Sequence, residues 1–181
     1  MNIVVNSKIY NTRPDDKRTP VEEITYNFLD SHDIGYSRID HLPADTIEAC
    51  HEIEKYLDAQ ICKNLFLRNS AKTQFYLLLM CGDKTFVSKD ISKKLSSTRL
   101  SFATPEDMEH YLGLTPGSVS ILGIINDKDN SVKIAVDKDL TEMEFFCCHP
   151  CKNTSTLKFR TEDIFDIFIP VAGHEYTVID V

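Results

Sequence analysis

The chain has 181 residues, of which 42% are apolar and 27% charged, an ordinary globular composition with enough length for one domain and a substantial core. No apolar run approaches the roughly 20 residues that cross a membrane. Residues 1–18 also lack the apolar core and small-residue cleavage site of a secretory signal. We therefore expect a cytoplasmic protein without a membrane partner, whose six cysteines stay reduced.

The net charge of −8 is unevenly distributed. Residues 60–100 contain eight basic and two acidic side chains, a local charge of +6, so the remainder of the chain carries −14. Local fields decide where a polyanion docks. The basic segment is therefore either a nucleic-acid contact or an ordinary solvated face, and the charge pattern leaves both open.

The first hundred residues predict a mixture of helices and strands. Residues 1–19 read as an N-terminal arm, with the Ile-Val-Val run as an edge strand or a loose segment. Helical spacing of apolar residues follows from Pro20, and a second helix, capped by Asp45 or Thr46, runs to Leu57. The remaining predictions here are strands at 36–39, 61–69, 73–80 and 84–87 and a basic helix at 88–95, with 61–80 as a hairpin whose second strand is buried on both faces.

The stretch 104–127 combines a helix, two turns and an apolar run. Thr104 is a good N-cap and Gly113 a good C-terminal stop. Residues 115–118, Thr-Pro-Gly-Ser, predict a type II turn, and residues 119–126 predict a buried strand. Such a turn either holds a ligand with its N–H groups or simply connects two elements.

The last third of the chain completes the predicted sheet. It predicts a turn at 127–130, strands at 132–136, 145–148, 155–159 and 176–181, and a helix that Thr161 caps. Strands and helices mix without a strict βαβ repeat. The predicted fold class is therefore α+β, with a mixed, mostly antiparallel central sheet flanked by helices in a single compact domain.

Common catalytic signatures, such as nucleotide-binding glycine loops and the His-Glu-x-x-His helix, do not occur. Cys147, Cys148, His149 and Cys151 form a tight cluster, but a structural zinc site usually draws on a second pair of ligands that this sequence lacks. We expect no metal and no cofactor. Lys63, within an apolar strand, is either an edge residue or a charge at the mouth of a pocket.

Four phrases carry a family resemblance: CKNLFL, GLTPGSVSILGIIND, CCHPCKNTST and GHEYTVIDV. In order and spacing they resemble the prolyl-tRNA-synthetase-associated editing domains, most closely the freestanding members that deacylate alanine mischarged on proline tRNA. The resemblance covers residues 20–181 and implies a compact mixed sheet, a small amino-acid pocket and a groove for the tRNA acceptor end.

The resemblance also implies roles for individual residues and partners. The lysine of the KNLFL phrase, Lys63, would be essential. The partners would be the acceptor end of mischarged tRNA(Pro) and, in addition, prolyl-tRNA synthetase. The expected catalytic residues are Lys63, Gly117, Ser118 and His149, the substrate-binding residues Asn64, Pro116, Ser120 and Asn153, and the tRNA-binding residues Arg68, Lys72, Lys89, Lys93, Lys94 and Arg99.

Two departures from the family pattern bear on pocket volume. The family often has Ser-Pro-Phe-Gly where this chain has Ser-Ile-Leu-Gly at 120–123, and phenylalanine where it has Cys148. The main hypothesis is deacylation of Ala-tRNA(Pro) with proline excluded by size. The alternatives are the same reaction on Cys- or Ser-tRNA, a catalytically silent aminoacyl-tRNA binder, and a metal protein built on the cysteine cluster.

Overall fold

Two β-sheets form the framework of the computed structural model, which describes residues 5–44 and 46–181. A five-stranded sheet has the order β4-β2-β3-β5-β8, and a three-stranded antiparallel sheet has the order β1-β7-β6. The α+β prediction is confirmed, with the strands divided between two sheets. The strands are β1 (Ser37–Asp40), β2 (Lys63–Asn69), β3 (Phe75–Met80), β4 (Leu100–Phe102), β5 (Val132–Asp137), β6 (Phe145–Cys148), β7 (Ser155–Arg160) and β8 (Tyr176–Ile179).

Helices cover both sheets. None of the helices in the described residues is long and apolar enough to cross a membrane. The helices are α1 (Pro20–Ser31), α2 (Ile47–Leu57), α3 (Ser88–Lys94), α4 (Pro105–Leu112), α5 (Lys138–Thr141) and α6 (Ile169–Val171), with a 3-10 segment at Ile121–Asn126 and a π-helical segment at Asp163–Phe168.

The predicted hairpin is confirmed as β2 and β3, which pair antiparallel from Lys63 opposite Met80 to Arg68 opposite Phe75. All six residues of β3 are buried, as expected for a strand with apolar layers on both faces. Beyond β3 the sheet becomes parallel, because β3 pairs with β5 and β5 with β8 in that sense. The hairpin thus lies at the centre of the fold.

The edge strand β4 is short, and this leaves part of β2 open. It pairs with β2 only from Leu67 to Asn69, and its last contact is the N–H of Ala103 donating to the carbonyl of Phe66 at 2.9 Å. Backbone groups alternate along a strand, so the N–H and C=O of Asn64 point to the same edge. The start of β2 therefore offers backbone hydrogen-bonding groups at an edge that β4 does not cover.

Two predicted strands are wrong. Residues 119–126 instead contain the 3-10 segment, because Ser120 caps it: its Oγ accepts the N–H of Leu122 at 3.2 Å. Gly123 packs so close to Leu114 that a Cβ would lie 2.6 Å from its Cδ1. Residues 84–87 form no strand in the described structure, because Lys84 turns to bind Asp137 at 2.8 Å.

The predictions for caps and termini have mixed outcomes: some are confirmed, one is wrong and the others are untested. Thr104 caps α4, Gly113 ends it with φ of 64°, and Thr46 caps α2. The predicted cap by Thr161 is wrong, since within the described residues its Oγ1 is buried without a hydrogen-bond partner. The alternative cap at Asp45 and most of the Ile-Val-Val run lie outside the described residues. The domain boundary at residue 20 stays a prediction.

We expect Asp107→Ala to destabilise the protein by about 1–3 kcal/mol, because it removes both a cap and an ion pair. The Asp107 carboxylate accepts the N–H of Thr104 at 2.9 Å and the guanidinium of Arg68 at 2.7 Å. Although burial opposes its charge, these partners lower its pKa. Urea unfolding measures the loss, and the exposed neighbour Glu106→Ala is the control that should stay within about 0.5 kcal/mol of wild type.

Candidate active site

A cavity of about 290 Å³ opens where β4 leaves β2 uncovered. Four of the predicted site residues line it together: Lys63, Asn64, Gly117 and His149. The rest of its wall is largely apolar and comes from β2, β4, α4 and β6. Its apolar members include Leu65, Phe66, Phe102, Met108, Val119 and Cys148.

Lys63 lies half-buried at the first position of β2. Its Nζ donates to the backbone carbonyl of Lys84 at 2.6 Å. An ammonium group has three N–H donors, so two remain for other acceptors. Of the two readings of this residue, the structure supports a charge held at the mouth of a pocket.

The loop that holds Lys63 is itself fixed by a buried carboxylate. Asp137, at the end of β5, is fully buried and accepts the N–H of Cys81 at 3.2 Å and the Nζ of Lys84 at 2.8 Å. Burial opposes both charges, but the pair raises the pKa of Lys84 and lowers that of Asp137. Asp139 adds a second contact to Lys84 at 2.7 Å. The position of Lys63 is therefore coupled to the core.

The side chain of Asn64 is used within the protein. Its Oδ1 accepts the N–H of Ile121 at 2.8 Å, and its Nδ2 donates to the carbonyl oxygen and the sulfur of Cys62, each at 3.2 Å. These bonds join β2 to the 3-10 segment. What Asn64 can offer to a ligand is its backbone at the open edge.

The turn at 115–118 is the predicted type II turn. Gly117 has φ of 82°, and the N–H of Ser118 donates to the carbonyl of Thr115 at 3.0 Å. The Oγ of Ser118 donates to the same carbonyl at 2.7 Å. Gly117 therefore faces the cavity, while buried Ser118 shapes the turn from behind and Pro116 is exposed on its outer side.

His149 follows β6 and packs its ring into the cavity wall. Within the described residues its Nδ1 is buried without a hydrogen-bond partner, and burial, with a contribution from His41, lowers its pKa to about 4. The ring is therefore neutral at physiological pH and a weak base. The backbone carbonyl of His149 accepts a hydrogen bond from the Oγ of Ser120 at 2.8 Å, and Ser120 is fully buried. Ser120 therefore positions His149 and does not reach the cavity surface.

Asn153 lies farther away, where it exchanges hydrogen bonds with the backbone of Ala44 at 3.4 and 3.2 Å. Ala44, Lys63 and residues of α2 line a second cavity of about 250 Å³. Asn153 thus supports the loop before α2, and Lys63 stands between two cavities.

The cysteines near the site are buried thiols. Burial raises the pKa of Cys62 to about 12 and that of Cys148 well above its usual range. A protonated thiol is a poor nucleophile and metal ligand. Within residues 5–44 and 46–181, no group of three or more His, Cys, Asp or Glu side chains is placed to hold a metal ion.

The six predicted tRNA-binding residues differ in their positions and contacts. Lys89, Lys93 and Arg99 gather around a cavity of about 530 Å³ beside α3, together with three serines. Arg68 is engaged by Asp107, and Lys94 binds the backbone carbonyl of Asp180. Lys72 is exposed in the hairpin turn, about 20 Å along β2 from Lys63.

The sequence did not mark several apolar residues as part of the cavity wall, among them Phe102, Met108 and Val119. The helical spacing of Met108 and Leu112 on α4 marks Met108 as inward-facing. No comparable signal marks Phe102, because β4 has only three residues.

Residues 41–167 match the aminoacyl-tRNA editing domain family. The chain belongs to this family. The family assignment supports aminoacyl-tRNA deacylase activity in general and accords with the resemblance to the prolyl-tRNA-synthetase-associated editing domains.

Two curated proteins with similar sequences have names that refer to prolyl-tRNA or to its synthetase. The prolyl-tRNA editing protein ProX of Acetoanaerobium sticklandii is 35% identical over 152 residues, 84% of this chain and 92% of ProX. The prolyl-tRNA synthetase associated domain-containing protein 1 of Mus musculus is 29% identical over 146 residues, 78% of this chain and 85% of the mouse protein.

Solved structures share the fold at low sequence identity. A candidate trans-editing enzyme for prolyl tRNA synthetase superimposes with a TM-score of 0.67 at 18% identity, covering 91% of this chain and 98% of that one. The hypothetical protein APE2540 gives a TM-score of 0.61 at 15% identity, covering 86% and 96%. These two likenesses concern the fold alone.

His149 should make the protein sensitive to acid. Its pKa of about 4 in the folded state lies below its usual 6.5, so as pH falls the unfolded chain binds the proton first. Stability that is present above pH 6.5 is then lost toward pH 4, by about 3 kcal/mol for this group. Denaturant unfolding between pH 4 and 7 should show a shallower loss for His149→Gln, whereas exposed His110→Gln should retain the wild-type slope.

Proposed function

We propose that this protein is a trans-editing hydrolase that deacylates Ala-tRNA(Pro) and excludes proline by the size of its pocket. The observation that carries the proposal is that Lys63, Gly117 and His149, far apart in sequence, line one apolar-walled cavity at the open edge of β2. A cytoplasmic location, and an association with prolyl-tRNA synthetase, go with this proposal.

The reaction is hydrolysis of the ester between alanine and the terminal ribose. A water oxygen attacks the carbonyl carbon, the bond to the ribose oxygen breaks, and the water's proton ends on that oxygen, which leaves alanine and free tRNA. Negative charge develops on the carbonyl oxygen, so donors placed there lower the barrier. Lys63 Nζ and the N–H of Gly117 are the donors that we assign to it.

The water is oriented by backbone carbonyls at the cavity rim or by the neighbouring ribose hydroxyl. His149 is a poor candidate for the base, because burial lowers its pKa to about 4 and an efficient base titrates near the working pH. Its neutral ring serves better as a fixed wall. The mechanism therefore depends on positioning and charge stabilisation.

Selection rests on the apolar wall. A missing methylene changes binding in an apolar pocket by only about 1–3 kcal/mol, so rejection of proline depends on steric exclusion. Cys148 lies in this wall where relatives often have phenylalanine, and its smaller side chain leaves more space. This observation supports the alternative of another small aminoacyl group, cysteine or serine.

The tRNA would be held through its phosphates. Lys89, Lys93 and Arg99 provide three cations around one cavity, and binding through such contacts weakens as salt rises. Arg68 and Lys94 are engaged within the protein, so the proposed tRNA contacts do not include them.

The decisive experiment compares deacylation of Ala-, Pro-, Cys- and Ser-tRNA(Pro) by wild type and Lys63→Ala. We expect rapid loss of alanine, retention of proline, and a fall of about 10²–10³ in rate for Lys63→Ala, as for removal of one oxyanion donor. Lys128→Ala, which changes an exposed lysine in the turn before β5, should act as wild type. Binding of tRNA without hydrolysis of any substrate would instead indicate a silent binder.

Gly117→Ala should reduce activity through backbone strain. At φ of 82° any other residue costs about 1–3 kcal/mol, and the turn relaxes by moving its N–H away from the ester carbonyl. We expect a lower kcat together with a lower urea midpoint. Gly35→Ala is the matched control, since neither glycine has atoms within 4 Å of an added Cβ and Gly35 has no positive φ. An unchanged kcat in Gly117→Ala would contradict the assigned role of the turn.

A further inference from the structure

Phe102 has an exposure that packing does not explain. It is 58% exposed, the highest fraction among the large apolar side chains of the described residues. Leu100, two residues earlier on the same face of β4, is 1% exposed. The ring of Phe102 also forms part of the cavity wall, so one strand carries a core residue and then a bare aromatic ring at the mouth of the site.

The ring has support on one side. Phe86 packs against it with ring centroids 5.5 Å apart and an interplanar angle of 54°, and Phe86 itself packs against the apolar cluster beneath α3. A ring that is backed by a neighbour and open to solvent is suited to receive another flat group, because aromatic pairs favour offset or tilted contacts at such distances.

The same strand connects the ring to the basic cavity beside α3. Arg99, which lines that cavity, stands three residues before Phe102, about 10 Å along an extended chain. The N–H of Leu100 donates to Ser92 Oγ at 2.9 Å, which ties α3 to β4. A single fixed edge therefore carries, in order, the basic cavity beside α3, the exposed ring of Phe102 and the cavity that Lys63 lines.

We propose that Phe102 is a stacking platform for a nucleobase of the unpaired 3′ end of the tRNA. The inference rests on the proposed function and adds a binding site to it. In this order, the phosphates of the single-stranded 3′ end would lie in the basic cavity and its terminal ester would enter the cavity that Lys63 lines. The spacing agrees, since the roughly 10 Å between Arg99 and Phe102 corresponds to about three stacked nucleotides at 3.4 Å each. Stacking on an aromatic ring tolerates any base.

The test measures binding of a tRNA(Pro) acceptor-stem hairpin with an unpaired 3′ end. Phe102→Ala should weaken binding about 5- to 150-fold, the effect of losing one base–aromatic contact. Phe102→Tyr should keep the wild-type affinity because it keeps an aromatic ring, whereas Phe102→Leu should lose affinity as Phe102→Ala does. Tyr56→Ala removes an aromatic ring that is 44% exposed on α2 and should leave binding unchanged.

Abasic hairpins identify the stacked base. Each of the last three nucleotides is replaced in turn by an abasic residue, and the cost of Phe102→Ala is measured again. The proposal expects this cost to vanish for one of the three hairpins. The proposal is overturned if Phe102→Ala lowers the affinity equally for all three abasic hairpins, or if it does not lower the affinity for the intact hairpin.

Two further measurements separate this inference from its premise and from another occupant. Failure of wild type to hydrolyse Ala-tRNA(Pro) rejects the proposed function, whereas normal hydrolysis with a wild-type-like Phe102→Ala rejects the platform alone. If the ring instead joins two copies of this chain, wild type will show a concentration-dependent mass that Phe102→Ala loses, with hairpin affinity unchanged, and the platform is again rejected.

Discussion

The buried carboxylate of Asp137 is the constraint on which the site depends. A buried charge is tolerated only when it is paired and hydrogen-bonded, and Asp137 meets this condition by binding Lys84 and the N–H of Cys81. Both partners belong to the loop after β3, so the carboxylate at the end of β5 fixes that loop. The loop in turn presents the carbonyl that holds Lys63, and a charge in the core thereby sets the position of a charge in the cavity.

The polar residues of the site fall into two groups with different duties. Asn64, Ser118 and Ser120 use their side chains on the protein's own backbone. They shape the strand, the turn and the 3-10 segment that surround the cavity. Two N–H groups of the Lys63 ammonium remain for other acceptors, and our proposal adds the N–H of Gly117 as a donor to the ligand. Such a division favours catalysis by preorganised donors, because the supporting bonds are already made before a substrate arrives.

The elements that the sequence predicted well are those with strong local signals. The hairpin of β2 and β3, the cap by Thr104 and the Gly117 turn each depend on spacing or on residue types with narrow conformational preferences. The apolar run at 119–126 predicts a strand but forms the 3-10 segment, because a short apolar run has the same pattern in either conformation. The choice was made by contacts distant in sequence, namely the packing of Gly123 on Leu114 and the bond from Ile121 to Asn64.

The site was predictable only in part for the same reason. The family resemblance marked Lys63, Gly117 and His149, yet no pattern indicated that Arg68 would be held by Asp107 or that β4 would end where it does. The short β4 has a large effect, since it leaves the edge of β2 open beside Asn64. Pairings between distant residues decide both features, and a single sequence does not contain them explicitly.

The buried thiols of the cavity have a consequence for the chemical durability of the site. Oxidants attack the thiolate form of cysteine, and burial keeps Cys62 and Cys148 protonated by raising the pKa of each. A sulfenic or sulfinic acid at Cys148 would add polar oxygen atoms to the apolar wall of the cavity and reduce the volume of the cavity. Because burial keeps the Cys148 thiol protonated, that oxidation is disfavoured and the apolar wall of the cavity is protected against it.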